Sequence, residues 1–194
     1  MAQVRPMRAD ARRNYERLLR AAVEAFAEHG ENASLDDIAK RAGVGSGTLY
    51  RHFPNRYALL EAAYVGRIEE LAARAGELAE ELPPGEALVA WLNEVCVTTL
   101  QVRGLKALMG SAVTDTDTGP VAVTECGTVL KQASAVLVEA AQREGTLRGD
   151  VEPVEVLRLA HGVATASELA SGDGKYIRRY LSLLTEGLRP RATD

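Results

Sequence analysis

The feature that most constrains this fold is a stretch of twenty residues that holds two short helical patterns separated by glycine. In residues 34–53, SLDDIAKRAGVGSGTLYRHF, the apolar side chains of Leu35, Ile38 and Ala42 recur at helical spacing. Gly43 follows them, as glycine commonly follows the last residue of a helix. The pattern predicts a short helix that ends in a tight turn.

Polar residues mark where the two short helices begin and end. Ser34 is predicted to be the N-cap of the first helix, with Asp37 able to return the bond in a capping box. Gly45 and Ser46 open the second helix, and Pro54 stops it. Two short helices joined by such a turn form a helix-turn-helix, whose second helix enters the major groove of DNA.

The second short helix carries the side chains that DNA recognition requires. Its buried side needs only Leu49 and Phe53, and Gly45 and Gly47 leave backbone N–H groups free for phosphate. Its other side chains are polar and can reach base edges or phosphates: Ser46, Thr48, Tyr50, Arg51 and His52. An ordinary helical hairpin without nucleic acid is the alternative, and the turn and polar residues disfavour it together.

Helical spacing also dominates the rest of the chain, which predicts an all-α fold without strands. The predicted helices cover residues 12–29, 56–82, 86–102, 104–112, 120–144, 153–170 and 174–188. Residues 114–120, TDTDTGP, are predicted to be a polar loop. The long helix 56–82, with Asn55 as its predicted cap, is predicted to connect two domains. Pro153 is predicted to lie at a helix start, where its missing N–H costs nothing.

Charge is distributed unevenly between a basic N-terminal part and an acidic remainder. Residues 1–60 hold 10 Lys and Arg against 7 Asp and Glu, whereas the remainder holds 13 against 20. This asymmetry favours a protein that binds a polyanion. Two interpretations stay open for the first arginines, a disordered basic arm or added DNA contacts: Arg5, Arg8, Arg12 and Arg13.

Several function classes are disfavoured. Cys96 and Cys126 lie thirty residues apart, and neither a disulfide framework nor a metal site is expected. No apolar run resembles a signal peptide or membrane span, so we expect a cytoplasmic protein without a membrane partner. His161 and Cys96 have apolar neighbours and no predicted catalytic partners, and Asp115 and Asp117 lack the further ligands of a calcium loop. We therefore expect that the protein is not an enzyme and binds no cofactor.

Residues 35–60, LDDIAKRAGVGSGTLYRHFPNRYALL, resemble the DNA-binding module of the TetR family of bacterial transcription regulators. The resemblance extends over residues 12 to about 66. It implies an all-helical homodimer with a three-helix N-terminal DNA-binding domain and a larger C-terminal domain for ligand binding and dimerisation. The corresponding domains here are 1–55 and 56–194, with 56–82 as the connector helix.

The resemblance also implies roles for individual residues. Ser34 and Thr48 correspond to phosphate contacts, and Tyr50 and His52 to contacts with the DNA backbone. Ser46, Gly47 and Arg51 correspond to the positions that read bases. Arg56 stands where the family usually has lysine, which keeps a phosphate contact, and Tyr57 replaces an acidic residue, which leaves local helix capping open.

Candidate residues for the C-terminal domain follow from its apolar helices. An effector pocket between helices, or simply the helical core, is predicted from eight residues: Tyr64, Trp91, Val95, Cys96, Leu100, Leu105, Leu108 and Met109. The last two helices are apolar on too much of their surface for one buried stripe each, which predicts a homodimer interface. Its candidate residues are Leu157, Ala160, His161, Ala164, Tyr176, Ile177, Tyr180, Leu181 and Leu184.

The function expected from these features is a homodimeric repressor that binds a near-palindromic, double-stranded operator. An unidentified small-molecule effector would favour a dimer whose DNA-binding parts are wrongly spaced. Two alternatives stay open: a transcriptional activator, and a helical ligand-binding protein whose DNA-binding part is vestigial.

Overall fold

The computed structural model describes residues 5–112 and 125–190, and within these ranges the only regular elements are helices. Nine α-helices follow one another along the described chain, with a single 3-10 turn at Gly30–Asn32 after the first. They are α1 (Arg5–His29), α2 (Leu35–Arg41), α3 (Ser46–His52), α4 (Arg56–Glu81), α5 (Pro84–Gln101), α6 (Arg103–Ala112), α7 (Glu125–Glu144), α8 (Pro153–Ser171) and α9 (Ile177–Gly187). The all-α prediction is confirmed.

Helix α1 begins at Arg5, earlier than the predicted start at residue 12. Ion pairs three and four residues apart occur along this part of the helix, between Arg13 and Asp10 and between Arg12 and Glu16. Such exposed pairs add a small stabilisation to a helix. Whether these arginines contact DNA stays a prediction.

Helix α9 begins later than predicted, at Ile177 instead of residue 174. Gly172 and Gly174 both adopt positive φ, at 73° and 75°, and Gly172 is the C-cap of α8. These two residues in the left-handed conformation end α8 and shift the start of α9 further along the chain. The predicted start of α7 at residues 120–124 and the predicted polar loop at 114–120 lie outside the described residues.

The chain divides into two compact units, Met1–Val65 and Gly66–Asp194. The predicted boundary at 55/56 coincides with the start of α4, whereas this division falls inside α4. The first turns of α4 bury Leu59 and Leu60 in the first unit, which explains the difference. The core of that unit also contains Leu18, Ala22, Phe26, Ile38 and Leu49.

Helix α5 is the central element of the second unit and packs against α6, α7, α8 and α9. Trp91 on α5 is fully buried, and its indole N–H donates to the carbonyl of Leu71 at 2.8 Å. Helix α8 begins with a capping box between Glu152 and Glu155, and Pro153 occupies the first helical position as predicted. None of the described helices is long and apolar enough to cross a membrane.

Candidate nucleic-acid interface

The turn between α2 and α3 is built around Gly43, which adopts a left-handed conformation with φ of 66°. Its N–H donates to the carbonyl of Lys40 at 3.0 Å, and the N–H of Val44 donates to the carbonyl of Ala39 at 3.0 Å. These two bonds form a Schellman motif, which satisfies the last carbonyls of α2. Arg17 on α1 donates to the carbonyl of Gly43 at 3.2 Å and thereby fixes the turn against α1.

Two further contacts fix the position of α2. The Ser34 hydroxyl accepts the backbone N–H of Asp37 at 3.3 Å, which confirms Ser34 as the N-cap. At the other end of α2, the guanidinium of Arg41 binds both carboxylate oxygens of Glu28 on α1, at 2.8 and 2.5 Å. This bidentate bond lowers the pKa of Glu28.

Helix α3 buries one side chain and presents the others outward. Leu49 is fully buried, while Tyr50 is 48% exposed and Arg51 is exposed. Among the other predicted contact residues, Gly47 is exposed and Ser46 and Thr48 are half-buried. The helix therefore has an accessible polar face of the kind that a recognition helix needs.

Two polar residues of α3 already make hydrogen bonds within the protein. Ser46 donates its hydroxyl proton to Asp36 Oδ1, with 2.6 Å between the oxygens. Arg51 donates through Nε to the carbonyl of Gly47 at 3.3 Å, which leaves its two terminal nitrogens available. Asp36 was not among the residues predicted to act at the site, because a contact between two helices does not follow from local sequence spacing.

His52 is half-buried in a small aromatic cluster at the end of α3. Its ring meets that of Tyr15 edge-on, with 5.8 Å between centroids, and Tyr15 stacks on Phe53 at 5.2 Å. Aromatic pairs at these distances contribute packing energy. His52 therefore anchors α3 to α1, in addition to the DNA-backbone contact that the sequence predicts for it.

Helix α4 begins directly after the recognition helix. Asn55 is its N-cap, as predicted, and accepts the backbone N–H of Ala58 through Oδ1 at 2.9 Å. Arg56 follows, and its Nη1 atom is buried without a hydrogen-bond partner among the described residues. Arg56 as a whole is half-buried, and its phosphate contact stays a prediction.

The predicted pocket residues lie on several helices, mostly in the interior. Tyr64 belongs to the first unit, where burial raises its pKa, and the other seven belong to the second. Leu100 is half-buried, whereas the remaining six are almost fully buried: Trp91, Val95, Cys96, Leu105, Leu108 and Met109. Their role in effector binding stays a prediction.

An open groove of about 1160 Å³ lies in the second unit among the end of α4, α5, the end of α7 and α9. None of the predicted pocket residues lines it. Its walls combine aliphatic with charged side chains, among them Leu88, Val89, Leu181, Arg178, Arg189 and Glu86. Because both signs of charge occur in the lining, the groove does not favour one class of ligand.

The predicted interface residues of α8 and α9 fall into two groups. Five are buried by the helices of the same unit: Leu157, Ala160, Ala164, Ile177 and Leu181. His161, Tyr180 and Leu184 are half-buried, and Tyr176 is exposed and stacks on Tyr180. The exposed apolar surface of these helices instead includes Leu159, Leu169 and Leu183, which sequence periodicity alone did not select.

The second unit also contains two groups whose charged forms are disfavoured by burial. Burial raises the pKa of the Cys96 thiol to about 12, and the thiol donates to the carbonyl of Ala160 at 3.3 Å. Burial and nearby Lys106 lower the pKa of His161. Within residues 5–112 and 125–190, no cluster of three or more His, Cys, Asp and Glu side chains is placed to hold a metal ion.

Two family profiles match most of the chain. The profile described as bacterial regulatory proteins of the tetR family matches residues 18–63, which contain α2 and α3. The profile described as the C-terminal domain of SbtR-like transcriptional regulators matches residues 83–190, more than half of the chain.

Individual proteins agree with these profiles. A TetR transcriptional regulator from Streptomyces coelicolor is 35% identical, with 92% of this chain and 99% of that chain covered and a TM-score of 0.54. FadR from Bacillus subtilis, solved in complex with stearoyl-CoA, shares the fold at 18% identity, with 90% and 100% covered and a TM-score of 0.65.

One sequence relative matches this chain over a short segment. An HTH-type transcriptional regulator of Staphylococcus aureus is 49% identical over 51 residues, which are 26% of this chain and 28% of that protein. The matched segment therefore spans little more than a quarter of the length of this relative. With both profiles and the 35% identical regulator in agreement, the chain belongs to the TetR family of DNA-binding transcriptional regulators.

Proposed function

We propose that this regulator is a homodimeric repressor that leaves a near-palindromic operator when a small molecule binds its second unit. The observation that carries the DNA-binding part is the accessible polar face of α3 beside one buried leucine. Two such helices would lie in successive major grooves, roughly one helical turn apart. Repression would follow because the bound dimer blocks RNA polymerase.

The proposed contact residues fall into two groups, those that bind the DNA backbone and those that contact bases. Ser34, Thr48 and Arg56 would bind phosphates, while Tyr50 and His52 would contact the DNA backbone. Such contacts fix the register of the protein on DNA and carry no sequence information themselves. Ser46, Gly47 and Arg51 would contact base edges. Within the described part of the chain Arg51 bonds only through Nε, so its terminal nitrogens could form a bidentate bond to guanine.

The effector is proposed to be aliphatic, or small and amphipathic. With one Trp and two Phe in the whole chain, few side chains are available to stack on a large planar ligand. The interior residues predicted for the pocket are mostly aliphatic. Helix α4 contributes residues to both units, so a change in its position would couple effector binding to DNA binding.

The test has two steps, both with the full-length protein. The operator is first selected from random DNA, and its affinity is then measured against saturated fatty acids and their CoA thioesters of graded chain length. A repressor of this kind loses operator affinity at concentrations where the compound binds. A compound that binds the second unit tightly and leaves operator affinity unchanged would contradict the proposed release mechanism.

A further inference from the structure

We propose that Asp36 determines operator specificity by fixing the direction of the Ser46 hydroxyl. This inference rests on the proposed function, in which Ser46 faces base edges at the start of α3. Asp36 would act as a positioning residue, because it works through Ser46 and need not contact the DNA itself.

In the hydrogen bond between these two side chains, Ser46 is the donor. A carboxylate has no proton to give, whereas a serine hydroxyl has one proton and two lone pairs. The separation of 2.6 Å between Ser46 Oγ and Asp36 Oδ1 lies in the range of short bonds from a hydroxyl to a charged acceptor. The single proton of Ser46 is therefore directed at Asp36.

A serine held in this way presents only lone pairs to DNA. In the major groove, adenine and cytosine offer amino groups, whereas guanine and thymine offer carbonyl oxygens at the corresponding places. A serine with a free hydroxyl can accept from the amino group or donate to the carbonyl. The Ser46 that Asp36 holds can only accept, so it favours adenine or cytosine over guanine or thymine at the position it contacts.

Asp37 provides a matched control on the same turn of α2. Both aspartates are exposed and lie in the first turn of the helix, so either substitution removes one negative charge from almost the same place. Only Asp36 accepts the hydroxyl of Ser46. Removal of either charge should strengthen binding to all DNA, because it lowers repulsion from the phosphates.

The experiment compares full-length wild type with Asp36→Ala, Ser46→Ala and Asp37→Ala. The wild-type operator is selected from random DNA, and every base pair is then replaced by its transition, which exchanges an amino group for a carbonyl. Fluorescence anisotropy at one salt concentration gives each dissociation constant. Thermal unfolding followed by circular dichroism verifies that each variant is folded.

We expect one position in each half-site where a transition weakens wild-type binding at least about fivefold, which corresponds to about 1 kcal/mol. Asp37→Ala should keep this discrimination. Asp36→Ala and Ser46→Ala should both lose most of it at the same position. A protein that carries both Asp36→Ala and Ser46→Ala should lose no more than Ser46→Ala alone.

Two results would overturn the inference in distinguishable ways. If folded Asp36→Ala keeps the transition preference and changes affinity only as Asp37→Ala does, Asp36 is merely a surface charge and operator recognition stands. If the wild-type protein selects no sequence at all, the proposed operator recognition fails, and the role of Asp36 fails with it.

Discussion

Arg51 and Tyr50 are neighbours on α3, but their side chains make different contacts within the protein. Arg51 donates through Nε to the carbonyl of Gly47, a bond that restricts its side chain and does not use its terminal nitrogens. Tyr50 is half-exposed and makes no comparable tether among the described residues. The first arrangement suits base recognition and the second suits a contact with the DNA backbone.

This difference can be measured by substitution. Arg51→Ala should relax base preference, because it removes a contact to a base edge, while Tyr50→Ala should weaken binding to all sequences about equally. We expect each loss to be about 1 to 3 kcal/mol on the selected operator. Binding titrations on operator DNA and on random DNA distinguish the two roles. If Arg51→Ala lowers affinity equally for both DNAs, Arg51 contacts only phosphate.

His161 links stability to pH. Its folded-state pKa is lowered from the ordinary 6.5, chiefly by burial and also by Lys106. As pH falls below about 6.5, the unfolded chain takes up a proton that the folded chain resists. The contribution of His161 to the free energy of unfolding should therefore be constant and highest above that pH. It should decrease below that pH and level off once the histidine of the folded protein is protonated.

Urea unfolding across pH 5 to 8 tests this linkage. His161→Gln should flatten the pH dependence over this window. An identical slope in wild type and His161→Gln would show that other groups cause the dependence.

At the scale of elements, the helix-turn-helix was predictable because its signals are local. Ser34, Gly43 and Asn55 act within one or two turns of their own helices, and the structure places each of them as the sequence indicates. Contacts between helices, such as the bond from Ser46 to Asp36, depend on packing that no sequence spacing encodes. The early start of α1 escaped prediction because its first turns have no apolar stripe.

Two glycines test how much the turn conformation matters. Gly43→Ala should lower the free energy of unfolding by about 1 kcal/mol, because a β-carbon is strained at φ of 66°. Gly76→Ala, within α4 and with open space around it, should raise it by about 0.5 to 1 kcal/mol. Urea unfolding measures both, and equal effects at the two sites would contradict the turn assignment.

Over the whole molecule, the apolar residues of α8 and α9 fall into two sets, one buried within the chain and one exposed. Leu157 and Leu181 were identified by periodicity, but periodicity cannot distinguish a face buried against the same chain from one left for a partner. Burial in the folded chain makes that distinction. Leu159, Leu169 and Leu183 on α8 and α9 remain exposed and are the residues that we now propose for contact between copies.

A charged substitution on this surface should produce a monomer. Leu169 is 85% exposed, so Leu169→Glu should leave the fold intact while it places a charge in the proposed interface. Val136→Glu on α7, at 55% exposure, is the matched control. Sedimentation velocity should give a dimer for wild type and Val136→Glu and a monomer for Leu169→Glu; a dimer for all three would place the interface elsewhere.

The most direct test of the central claim is the fluorescence anisotropy of the full-length protein on DNA from upstream of its own gene, compared with random DNA. Operator recognition by α3 predicts a clear preference for the upstream DNA and a steep loss of affinity as salt rises, because phosphate contacts release counterions. Binding that is equally weak on both DNAs, together with no sequence recovered by selection from random DNA, would contradict operator recognition by α3.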